Sequence, residues 1–165
     1  MSNSVVVRIE SDDGQIPRNE LNFRVYIKAD DQPNDIKSEL PFILNSMLKS
    51  YQSNSKFAQH ISPAIFYSHH HAIITNILAR PTTTVIVATH ITQPKVILGY
   101  MILEDVGSNG LILHYAYTKD IFRKAGIQRH LMSELTKKPT IFTHLTSRGE
   151  SLYNKYNLTY NPYKI

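Results

Sequence analysis

Arg123, Lys124, Gln128 and Arg129 crowd into the turn where an apolar strand-like run gives way to a helix-like one, with Gly126 among them. Ile127, Leu131 and Leu135 recur on one helical stripe with Met132 beside it, so the cations fall at the start of an amphipathic helix. That placement is unfavourable in isolation, because the unpaired N–H groups of a helix start already carry partial positive charge. An anion resolves the conflict. Free N–H groups, the helix dipole and side-chain cations converging on one turn suit a phosphate group. His69, His70 and His71 have metal-ligand chemistry, but consecutive helical residues point about 100° apart and cannot converge on one ion. No metal site is expected there, and His70 alone could face a core.

The elements that must position the basic turn can be read on either side of it. Leu111, Leu113, Tyr115 and Tyr117 alternate with Ile112, His114, Ala116 and Thr118, so both faces are mostly apolar, as in a central strand covered on both sides. Before it, residues 82–90 and 96–103 form a predicted hairpin around Gln93, Pro94 and Lys95, and Gly99 marks a bulge or a close backbone approach. Farther upstream, residues 5–9 and the alternating Phe23, Val25 and Ile27 predict another hairpin, turning at residues 11–14. A polar loop at residues 30–35 follows, and Ser38 can cap a helix carrying Leu40, Ile43, Leu44, Met47, Leu48 and Tyr51. Pro41 is tolerable in that helix's first turn. Ser62 and Pro63 have the types of an N-cap and first helical residue for a second helix running to about Ala79, with Phe66, Ile73, Ile74, Ile77 and Leu78 inward. After the basic turn come a strand at residues 141–145, a last helix capped by Thr146 or Ser147 with Leu152, Tyr153 and Tyr156, and a short strand at residues 158–160. The order is β, β, α, α, β, β, β, α, β, α, β, an α/β chain.

Composition narrows the partners. At 165 residues the chain is one domain by length. No apolar run approaches the roughly 20 residues of a membrane span, so no membrane partner is expected. Cysteine is absent, which excludes disulfides and thiolate chemistry, and the N-terminus lacks the basic and apolar regions of a secretion signal. A cytoplasmic location is the expectation. A net charge of +5 suits an anionic partner without choosing among cofactor, nucleic acid and acidic protein.

Arg123-Lys124-Ala125-Gly126-Ile127-Gln128 resembles the Q/R-x-x-G-x-G/A signature of the GNAT superfamily of acyl-CoA N-acyltransferases, with Gln128 where the family has Gly or Ala. The residues from Ser147 to Leu158 resemble the family's N-x-x-A-x-x-L-Y-x-K-x-G-F ending, with Asn157 able to take the left-handed conformation that Gly supplies after a helix. The first helix, LPFILNSMLKSYQ, with LHYAYTKDIFRKAGI, also resembles small phage-encoded GNAT-like proteins. The resemblance covers residues 23–160, leaving 1–22 as an N-terminal strand or hairpin addition to a single domain spanning 1–165. It implies a central mixed, mostly antiparallel twisted sheet flanked by about four helices, with a splayed central strand pair.

It implies acetyl-CoA as co-substrate and transfer of an acetyl group to a primary amine whose identity is not readable. Backbone amides of Arg123, Lys124, Ala125, Gly126, Ile127, Gln128 and Arg129 would hold the pyrophosphate, and Ala116, Tyr117 and Thr118 the pantetheine arm. Tyr153 maps to the residue that protonates the departing sulfur, and His114 to a position where relatives carry a carboxylate base; Glu104 is the other candidate base. A backbone N–H near Ala116 to Thr118 would stabilise the oxyanion. Two alternatives stand beside this: a GNAT-fold binding protein without catalysis, and a nucleic-acid binder drawing on Tyr153, Tyr156, Tyr160 and Tyr163, for which no recognition-helix motif or basic stripe is present. The final strand pair looks shortened, so the substrate side could be open or completed by a second subunit in a homodimer.

Overall fold

The computed structural model describes residues 14–26 and 39–165. The strand expected at residues 5–9, the turn at 11–13, Ile27, the loop at 30–35 and the Ser38 cap lie outside these residues.

Among the described residues, six strands form one mixed sheet in chain order: β1 (Leu21–Val25), β2 (Thr83–His90), β3 (Gln93–Asp105), β4 (Leu111–Thr118), β5 (Ile141–Phe142) and β6 (Thr159–Tyr160). The first four pair antiparallel, whereas β4–β5 and β5–β6 are parallel. Helices cover both faces. Against one face pack α1 (Glu39–Asn54), the single turn α2 (Lys56–Gln59) and α3 (Pro63–Ala79), burying Ile43, Met47, Tyr51, Phe66, Ile74 and Ile77 on Val87, Tyr100 and Ile102. Against the other lie α4 (Ile127–Glu134) and α5 (Glu150–Lys155), with Ile127, Leu131 and Met132 on Ala88, Met101 and Leu113. Because both faces are covered, β4 needs apolar residues on both, and Leu111 through Tyr115 are all buried, His114 being the one polar residue among them. Among the described residues, no helix is long and apolar enough to cross a membrane.

Local chemistry accounts for most boundaries. The Ser62 side chain accepts from the backbone N–H of Ile65, capping α3 at Pro63 as the sequence predicts. The β2–β3 turn differs from expectation. It is the two-residue Ile91-Thr92, and Gln93, Pro94 and Lys95 belong to β3. His90 Nδ1 accepts from the Thr92 backbone N–H and bonds its hydroxyl, giving this turn a side-chain brace that composition does not reveal. The predicted irregularity at Gly99 is present: the β2–β3 register shifts beside it, and a Cβ on Gly99 would stand 2.6 Å from the Tyr117 carbonyl oxygen. Residues 14–20 are not a strand; they cross α4, with Ile16 fully buried and Arg18 paired with Glu134 at 2.6 Å.

Candidate active site

The site follows from how little of β5 pairs with β4. Only Ile112↔Ile141 and Leu113↔Phe142 are in register, with a last bond from Thr143 N–H to the Leu113 carbonyl. Beyond this point β4 runs on to Thr118 while the other chain turns away toward α5. The strands part into a wedge that opens on a cavity of about 590 Å³. Tyr115, Ala116, Tyr117 and Thr118 form one wall, Ser50 and Asn54 of α1 a second, and the segment from Thr146 to Tyr156 a third. The basic turn closes it with Arg123, Lys124, Gly126, Ile127, Gln128 and Arg129. Of the ten residues expected to hold a cofactor, Ala125 alone is absent from the lining; it is buried, and its carbonyl accepts from the Ile16 N–H at 3.0 Å.

The turn is built to present its backbone. Gly126 adopts a left-handed conformation (φ 81°) just before α4, and Lys124, two residues earlier, also has positive φ (71°). A lysine seldom takes this conformation, and such strain concentrates where a backbone group must point at something. Gln15 lies over the turn, its amide donating to the Lys124 carbonyl and accepting from Arg129 at 3.1 Å. Arg123 and Arg148 both pair with Asp120, linking the turn to the α5 side across the cavity mouth.

Gln128 has a specific placement. Its Nε2 donates to the Tyr117 carbonyl at 2.6 Å and lies 3.0 Å from the Thr118 hydroxyl, while Oε1 is buried without a hydrogen-bond partner. The side chain therefore ties the start of α4 to a carbonyl on the β3 side of β4, while Gln128 itself lines the cavity.

The three candidate acid–base residues are engaged elsewhere. Tyr153 packs face to face on Phe142 (3.7 Å between centroids) and donates its hydroxyl to the His144 carbonyl at 3.0 Å, behind Gly149 rather than on the cavity surface. Burial raises its pKa above the ordinary tyrosine value. His114 is buried, with Nε2 on Glu104 at 2.8 Å and Nδ1 on Thr143 at 3.0 Å. Desolvation lowers its pKa despite the neighbouring carboxylate. For Glu104 burial acts upward, but hydrogen bonds from His114, Thr82 and Arg80 outweigh it and hold the carboxyl below its usual range. The structure thus joins His114 to Glu104 and leaves Tyr153 apart from both.

Several lining residues were not singled out from the sequence. Ser50 and Asn54 line the cavity and, with Ser46 outside the lining, form an i, i+4 polar stripe inside the apolar face of α1; Ser46 bonds the Tyr100 hydroxyl at 2.8 Å and Ser50 the Tyr115 hydroxyl at 2.7 Å. That stripe was the available signal. Arg148, Ser151 and Lys155 recur at three- and four-residue spacing beside Tyr153 and bring two further cations to the cavity.

Comparison with solved structures identifies the architecture. The chain superposes on a Pyrococcus furiosus protein provisionally described as an acetyl transferase, with a TM-score of 0.52, 12% identity, and 86% of this chain and 79% of the other covered. A predicted acetyltransferase from Clostridium acetobutylicum, determined with acetyl-CoA, gives a TM-score of 0.54 at 16% identity, covering 84% of this chain and 90% of the other. No protein-family model and no curated protein sequence matches the chain.

Proposed function

From the GNAT-type acetyltransferase fold that these comparisons show, we propose that the protein is an acyltransferase that moves an acetyl group from acetyl-CoA to an amine. The observation that carries this is the β4–β5 wedge with its basic, left-handed turn at the start of α4. Arg123, Lys124 and Arg129 would meet the phosphates together with the amides of the turn, and the pantetheine arm would lie along Ala116 to Thr118. The thioester carbonyl would then reach strand N–H groups that β5 no longer pairs, which are fixed donors for the oxyanion.

Acyl transfer here would rest on positioning and on those backbone donors, because Tyr153, His114 and Glu104 are each committed to protein partners. That same observation, with Gln128 folded onto the strand, supports a second assignment: a CoA-binding protein of this fold without transfer activity. Calorimetric titration with acetyl-CoA, free CoA and dephospho-CoA tests the shared premise. Saturable binding that Gly126→Glu abolishes is expected, and a folded protein that binds none of them would sink both assignments. Release of free CoA thiol in the presence of amines then separates the two.

A further inference from the structure

Five side chains, all at least nine-tenths buried, form one unbroken hydrogen-bonded chain through the sheet. It runs from His70 on α3 to His144 (Nε2 to Nε2, 3.0 Å), on to Thr143 (2.8 Å from His144 Nδ1), then His114 (3.0 Å to Nδ1), and ends at Glu104 (2.8 Å from His114 Nε2). At its far end Glu104 accepts from Arg80 at 2.9 Å and Thr82 at 3.0 Å. None of these seven residues lines the wedge cavity.

Each bond needs one donor and one acceptor, which fixes the direction of the whole chain. Glu104, ionised and facing Arg80, accepts only, so His114 carries its proton on Nε2 and leaves Nδ1 as acceptor. Thr143 then gives its hydroxyl proton to His114, a shorter contact than the 3.5 Å to the His114 carbonyl. The Thr143 oxygen in turn accepts from His144 Nδ1–H, so His144 Nε2 bears a lone pair and must accept from His70 Nε2–H. His70 Nδ1 is left with a lone pair at the edge of the core.

We infer that these residues form a one-way proton relay that takes a proton at His70 and delivers it to Glu104, loosening the hold of Glu104 on Arg80. The transfer balances. A proton binds His70 Nδ1 as its Nε2–H passes to His144 Nε2; His144 Nδ1–H passes to Thr143 as the Thr143 proton passes to His114 Nδ1; His114 Nε2–H passes to Glu104 Oε2. Every imidazole ends neutral in its other tautomer, and the carboxylate becomes a carboxylic acid. Both ends of the relay act on one element, since His70 lies in α3 and Arg80 is its C-terminal cap. Acid would therefore loosen the C-terminal end of α3 at Arg80, while the His70–His144 bond persists with its donor and acceptor exchanged.

The surroundings are compatible with neutral imidazoles near pH 7. Tyr51 of α1 stacks on His70 (4.8 Å) and meets His144 edge-on, Tyr115 of β4 lies 6.1 Å from His144, and Tyr153 of α5 touches the His144 carbonyl. Burial lowers the His70 pKa to about 4, and burial with the neighbouring His70 and His114 lowers that of His144 to about 3.

Long-range proton–nitrogen correlation spectra near neutral pH should show Nε2–H on His114, Nδ1–H on His144 and Nε2–H on His70. Nε2–H on His144 would overturn the relay by itself, whatever the variants do. In a carbon-13 titration, the Glu104 carboxyl and the His70 ring should move in a joint transition. Thr143→Val cuts the chain and should separate the two midpoints by about one pH unit or more, and Thr143→Ser should rejoin them. A joint transition that survives in Thr143→Val would equally reject the proposal.

Discussion

Gln128 lines the cavity while its amide is tied to the Tyr117 carbonyl, an acceptor on the β3 side of β4. That bond anchors the start of α4 on the strand, and a net hydrogen bond is worth about 0.5–1.5 kcal/mol. Gln128→Ala should therefore lower stability by about that much, read as a lower urea midpoint at unchanged slope. An unchanged midpoint would show that the bond contributes nothing net. The sequence announced this position only as a departure from a motif, because whether a glutamine folds back or reaches out depends on an acceptor eleven residues away that only the fold brings near. His70 was legible in part: helical geometry separated it from His69 and His71, and it alone of the three is buried. His144 was not, since nothing local to Thr143-His144 indicates a partner on α3.

At the level of elements, amphipathic period and capping residues carried most of the information. The Ser62 cap, the β4 boundaries and the left-handed Asn157 all appear where sequence patterns put them. The β2–β3 turn and the length of β5 did not, because Pro94 falls in the register shift between His90↔Gln93 and Thr89↔Ile97, where no cross-strand partner calls on its missing N–H, and β5 ends where its partner diverges rather than where its apolar residues do. Gly99 joins the two sides of this scale. An alanine there would press on the Tyr117 carbonyl and on Ile127, so Gly99→Ala should cost about 1–3 kcal/mol, seen as a lower urea midpoint at unchanged slope. An unchanged midpoint would mean that β4 shifts freely, and the wedge wall would then not be rigid.

Across the whole molecule, buried neutral histidines tie stability to pH. With folded pKa values of about 4 for His70 and about 3 for His144, against 6.5 for a free imidazole, the unfolded chain takes up protons first as pH falls. Stability is full above pH 6.5 and declines below it, by about 1.4 kcal/mol per pH unit for each histidine, until the folded pKa values are reached. Urea denaturation across that window should show the decline, and His144→Phe should flatten it; a flat profile in the unaltered protein would mean that these histidines are solvated.

The neighbour-to-neighbour strand order also has a kinetic consequence. The β2–β3–β4 meander is closed by short connections, whereas β1 reaches β2 only after α1 and α3 have intervened. Closing that loop early costs chain entropy before any contact offsets it, so the meander should nucleate and β1 should dock late. In stopped-flow chevrons, Met101→Ala should slow refolding, whereas Leu21→Ala should act mainly by hastening unfolding. The reverse pattern would place the helical pair and β1 in the folding nucleus instead.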